Sequence, residues 1–229
     1  MMRILAAGAL ILLLWWVVAR HRRQRLSVRE AFIRGYAFPK GLYERLGERY
    51  PHLSAAERAQ VGHGLKQFFL AYARTGKFVS MPSQSADALW HEFILYTRAY
   101  EVFCRQAFGR FMHHTPAVAL EKRRQGNGGL HRIWHETCRQ EGIQPSRPAR
   151  LPLLFALDGM LQIPGGFFYH PDCKGLIQAD ASAATVYCAG DFGGSSSCGG
   201  DGGSDTDGDG DGGSDSGGDS GCSGGCGGD

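Results

Sequence analysis

The body of this chain has no glycine-rich loop that would cradle a phosphate, no dinucleotide fingerprint and no internal repeat of about 20 to 50 residues. Those absences argue against the common nucleotide-dependent classes and against solenoids. No strand-rich half is visible, so the body reads as mainly α. From Gly190 onward there is no Lys or Arg, and apart from Phe192 and Thr206 only Gly, Ser, Cys and nine Asp. Such a composition buries nothing that could offset chain entropy, and residues 189–229 are expected to be disordered. The formal net charge of +3 is therefore a cancellation: residues 1–189 carry 25 basic against 13 acidic side chains, or +12.

The N-terminal stretch lacks polarity altogether. Ile4 to Ala19 reads ILAAGALILLLWWVVA and is followed at once by Arg20, His21, Arg22, Arg23 and Arg25. As helix the run rises about 24 Å against a hydrocarbon core of about 30 Å, and a snorkelling Arg3 extends it. The positive charges follow the apolar run and bulky Trp15 and Trp16 occupy its exit, which is the wrong order for a cleaved signal peptide. The expectation is a single transmembrane helix that spans the membrane through residues 4–19, with residues 1–25 as anchor and basic flank. By the positive-inside rule the remainder is cytoplasmic. In that compartment the seven cysteines, Cys104, Cys138, Cys173, Cys188, Cys198, Cys222 and Cys226, read as thiols or metal ligands rather than disulfides.

Residues 26–188 form the expected helical globular domain. Ser27 is placed to cap a helix from Val28 to Gly35, and a short helix is expected from Leu42 to Tyr50. Ser54-Ala-Ala-Glu57 is a capping box opening a helix that carries Val61, Leu65, Phe68, Phe69 and Tyr72 at helical spacing and stops at Gly76. One long helix is expected from Ser83 or Ser85 to Phe108, another from Leu130 to Glu141, and a short apolar one ending at Leu157 before a turn at Asp158-Gly159. The aromatic piece Phe167 to Tyr169 is the one extended signal, a candidate two-stranded element with Ala184 to Cys188.

The chemistry-bearing residues crowd into Ala86 to Pro116. At about 100° per residue, Leu89, Phe93, Tyr96, Tyr100, Phe103 and Ala107 share one stripe, a core face that Cys104 widens as a buried thiol. Asp87, His91 and Arg98 fall opposite it. The i,i+4 spacing lets the Asp87 carboxylate reach the His91 imidazole, an arrangement common around metal-bound histidine and equally found in plain surface hydrogen bonds. Past Gly109, His113 and His114 point opposite ways in extended chain, so at most one meets His91. The candidate metal site is Asp87 and His91 with His113 or His114, for a divalent ion such as zinc or iron. The other reading of the same histidines is structural hydrogen bonding at a helix–turn junction. In the tail, Asp205 to Gly210 imitates the start of a calcium loop but lacks the closing Glu, and Cys222 and Cys226 form no specific zinc pattern.

The residues Asp87-Ala-Leu-Trp90-His91, Tyr96, Tyr100, Cys104, Phe108-Gly109 and His113-His114 resemble the D-x-x-WH, Y, C, G, H signature of the glycine-rich domain-containing protein family, and the Gly-rich C-terminus agrees with it. The resemblance implies a mainly helical conserved region and brings no agreed catalytic activity. Plant members are linked to stress and developmental responses and include RNA-binding modules that this chain lacks.

Two functions follow as expectations. One is a membrane-anchored interaction or scaffold protein with a protein partner; the other is a metal-dependent enzyme using Asp87, His91 and His113 or His114. Nucleic acid is a weaker third partner. Lys122 to Arg124 reads as a solvated basic loop, and the acidic tail would compete with any phosphate backbone.

Overall fold

A computed structural model describes residues 2–114, 126–171 and 186–188. All of these fall in one unit, Met1–Ser195. The expected calcium-like loop, the Cys222 and Cys226 pair, the disordered tail and the Lys122–Arg124 loop lie outside the described residues.

The chain opens with α1, Met2–Gly35. The expected cap at Ser27 does not form, because the Arg-, Gln- and Leu-rich residues before it favour helix and no Gly or Pro interrupts them. Side chains from Leu10 to Val18 are exposed all round, as are those from Arg20 to Arg25. Only beyond Leu26 does the body cover the helix, with Ile33 fully buried and Phe32 against Phe103. Among the described residues no helix is long and apolar enough to cross a membrane. The transmembrane span expected over residues 4–19 is therefore not seen among the described residues.

The body follows the expected helical order. α2, Leu42–Arg49, is followed by α3, Ala55–Thr75, whose capping box forms as read: Ser54 Oγ accepts from the Glu57 amide and the Glu57 carboxylate accepts from the Ser54 amide at 2.7 Å. α3 runs through the centre and touches α1, α4 (Gln84–Leu95), α5 (Thr97–Phe108), α6 (Gly126–Glu141) and α7 (Leu153–Met160). Its Phe68 and Phe69 meet Trp90, Phe93 and Phe103 in an aromatic core with ring centroids 4.9–6.5 Å apart. Two short strands, β1 (Phe168–His170) and β2 (Val186–Cys188), pair in parallel with Phe168 opposite Val186, so the expected small β element is present.

Two further expectations are corrected. The single helix over Ser83 to Phe108 is two, broken at Tyr96 (φ −79°, ψ 60°), whose hydroxyl donates to the Lys40 carbonyl at 3.2 Å. The turn at Asp158-Gly159 is not a turn; both residues continue α7, and Asp158 is buried.

Partly buried charge ties α1 to the body. Arg74 of α3 makes two hydrogen bonds to the Glu30 carboxylate at 2.8 and 2.7 Å and approaches Glu136 of α6 at 3.6 Å. The Arg74 hydrogen bonds hold the Glu30 carboxyl below its usual pKa, against the opposing effect of burial. A depressed carboxyl contributes stability above its unfolded pKa of about 4.5 and loses it as pH falls through the folded value. Urea unfolding is expected to show a stability drop below pH 4.5 that is smaller in Glu30→Gln; equal drops would contradict the assignment.

Candidate metal centre

Three connected pieces of chain build the site. The first fixes where α4 begins. Asp158 presents its carboxylate at the N-terminus of α4, where unpaired amides and the helix dipole favour an anion. Its Oδ1 accepts from Ser83 Oγ (2.8 Å), Ser85 Oγ (2.8 Å) and the Ser85 amide (3.1 Å). Its Oδ2 accepts from the Gln84 amide (2.6 Å) and the Phe167 amide (3.0 Å). Every donor around this buried carboxylate is thereby used, and α4 is set in place with Asp87 and His91 one turn apart.

The second piece is the turn after α5. Gly109 takes a left-handed conformation (φ 76°) that side-chain-bearing residues disfavour, and its amide closes α5 onto the Arg105 and Cys104 carbonyls. From Phe111 to His114 the chain continues without regular secondary structure. Met112 is buried there, while Phe111 and His113 face outward. The third piece clamps that segment. Tyr100 Oη accepts from Trp90 Nε1 at 3.1 Å and donates to the Met112 carbonyl at 2.6 Å, and the Trp90 ring meets the His114 ring edge-on at 4.7 Å. Burial raises the Tyr100 phenol well above its usual pKa, so it remains a donor.

The outcome is a convergence of three ligand-type side chains, Asp87, His91 and His114. His91 Nε2 and His114 Nε2 are 2.9 Å apart, His114 Nε2 lies 3.0 Å from Asp87 Oδ1, and His91 Nε2 lies 3.6 Å from Asp87 Oδ2. His114 is mostly buried at 16% side-chain exposure, Asp87 is at 31% and His91 at 50%, so the site is closed beneath and open toward solvent on the His91 side. His113, the alternative in the sequence, is exposed, its ring tilted against Phe111 at 4.8 Å, outside the group. Arg98 is exposed on α5 and is not part of the group either.

Hydrogen bonding alone serves this triad poorly. A neutral imidazole nitrogen is either a donor or an acceptor, and a carboxylate only accepts. If His114 Nε2 carries the proton for Asp87, His91 Nε2 must share that same proton or oppose it with its own. If it does not, its lone pair faces the carboxylate. One shared proton is the best that neutral rings achieve. A dication turns all three contacts into ligation, and metal–ligand distances of about 2.0–2.1 Å in tetrahedral geometry imply ligand–ligand edges of about 3.3 Å. The measured 2.9, 3.0 and 3.6 Å bracket that value.

Cys104 and Cys138 stay outside this chemistry. Cys104 is fully buried on α5, and burial pushes its thiol pKa up; Cys138 is pushed up by burial to about 12. Both are core thiols. The site-supporting residue that sequence reasoning missed is Asp158, and its signal was a lone carboxylate inside the apolar run LLFALDGM.

A family model described as UCP032817-like matches residues 28–192, and the chain belongs to that uncharacterised family. The match contains the whole triad, Asp158 and both strands, and begins beyond the basic cluster of α1. No match is found among curated proteins or among solved structures.

Proposed function

We propose that this protein binds one divalent transition-metal ion through Asp87, His91 and His114. The observation that carries the reading is the convergence of two imidazole nitrogens and a carboxylate at 2.9–3.6 Å, with Asp158 fixing the start of α4, Tyr100 holding the Met112 carbonyl and Trp90 against the His114 ring. Two imidazoles and one carboxylate suit zinc or iron(II). Three protein ligands and an open solvent side are the arrangement of a catalytic rather than a sealed structural ion, and a metal there would supply Lewis acidity to a water or substrate group. In this reading Asp87, His91 and His114 hold the ion, and the Trp90 face keeps His114 oriented and shields it from water.

Cobalt(II) titration of the full chain tests this. One equivalent is expected to give visible ligand-field bands without a thiolate charge-transfer band, and the bands are expected to vanish in Asp87→Ala/His91→Ala. Absorption carried by thiolate charge transfer and unchanged in that variant would place the metal on cysteines and overturn the assignment.

A second reading concerns where the domain resides. The apolar side chains from Leu10 to Val18 are exposed on every side of α1, which a water-solvated helix does not favour. That exposure supports attachment of α1 to a membrane, with the basic cluster, and hence the body, on the cytoplasmic side. A role as an anchored scaffold for a protein partner is compatible with the same arrangement.

A further inference from the structure

The boundary between the apolar and basic parts of α1 carries a shallow groove between side chains of that one helix. This cleft is lined by Trp15, Trp16, Ala19, Arg20, Arg23 and Gln24. Trp16, Arg20 and Arg23 fall within about 60° of one another around the helix, whereas Arg22 and Arg25 fall on the opposite side. The Arg20 guanidinium stands 5.6 Å from the Trp16 ring centroid. No acidic residue precedes Glu30 in the chain, and neither Arg20 nor Arg23 has an ion-pair partner among the described residues. Two unpaired guanidinium groups therefore share one face with an aromatic ring, directly beside an apolar surface.

We infer that this cleft seats the phosphodiester headgroup of an anionic phospholipid, held by Arg20 and Arg23, with Trp16 at the glycerol level and the acyl chains along Leu10 to Val18. The inference rests on the membrane reading given above. Charge complementarity selects the occupant. Planar guanidinium groups bind phosphate oxygens bidentately, tryptophan concentrates at the headgroup boundary, and anionic leaflets attract basic segments at that depth. A free phosphate satisfies the two arginines but has no use for Trp16 or for the apolar surface next to it.

The test uses the full chain in vesicles of phosphatidylcholine mixed with phosphatidylglycerol, with one of the two lipids brominated in each preparation. Tryptophan quenching is read; Trp90 and Trp134 are buried in the body and supply a constant background. The expected result is several-fold stronger quenching when phosphatidylglycerol is the brominated lipid. Arg20→Gln/Arg23→Gln is expected to abolish that difference while quenching by brominated phosphatidylcholine remains, and Arg22→Gln/Arg25→Gln is expected to keep it. Equal quenching by both lipids in the unaltered chain overturns the headgroup site and leaves the membrane reading standing. Equal loss of preference in the two double variants also overturns it, in favour of diffuse collar charge. Suppression of the preference by added inorganic phosphate, at constant ionic strength, would reassign the cleft to free phosphate. No quenching by either lipid would overturn the membrane reading itself.

Discussion

Asp158→Ala is expected to lower the unfolding free energy by about 3–5 kcal/mol, the largest stability loss of any single polar substitution in the described body. The carboxylate receives five hydrogen bonds, from Ser83, Gln84, Ser85 and Phe167, in a place almost free of solvent. Its removal leaves buried amide and hydroxyl donors unpaired, each costing about 1–3 kcal/mol before relaxation. Against a typical total of about 5–15 kcal/mol, such a loss is severe. Asp158→Asn is expected to do nearly as much damage, because donors approach both oxygens and one of them would become an NH₂ group. The urea midpoint should fall without a change in slope. A loss below about 1 kcal/mol for Asp158→Ala would mean that desolvating the carboxylate cancels its hydrogen bonds and that α4 is fixed by apolar packing alone.

The second large effect separates two adjacent residues. His114→Ala is expected to weaken metal binding by more than about 100-fold, and His113→Ala to leave it unchanged. The reason is the alternation of burial after Gly109: Met112 and His114 turn inward, Phe111 and His113 outward. Competition with a chromophoric chelator measures both variants. Equal losses would show that the segment slides between two registers, so that either ring serves as ligand.

Much of the framework was legible because its determinants are local. The Ser54–Glu57 box and Gly76 bound α3 where their cap chemistry says, and the stripe from Leu89 to Ala107 is buried except at Tyr96. Asp87 and His91 could be paired from i,i+4 spacing alone. The remaining features depend on groups distant in sequence. Tyr96 breaks the helix with no Gly or Pro to announce it, and its hydroxyl meets the Lys40 carbonyl, a partner remote in sequence. Asp158 looks like a turn residue until the N-terminus of α4, more than seventy positions earlier, supplies its donors. The choice of His114 over His113 follows from where Tyr100 holds the Met112 carbonyl, a contact that no spacing rule contains. At α1 the local signals misled: a good N-cap residue at Ser27 is overridden by helix-favouring residues on both sides, giving one continuous rod from Met2 to Gly35.

That rod has a functional consequence under the proposed membrane attachment. Ala19 ends the apolar run and Phe32 is packed on the body, so an unbroken helix of about 20 Å sets the spacing between bilayer and body. The site would be held near the surface rather than free to diffuse from it.

Metal content by elemental mass spectrometry tests the central claim most directly. The full chain and His91→Ala/His114→Ala should be expressed with supplemented zinc or iron and dialysed identically, so that any ion bound by the C-terminal cysteines contributes equally to both. One equivalent more is expected in the unaltered chain than in the variant. Equal metal content in the two folded proteins would contradict it.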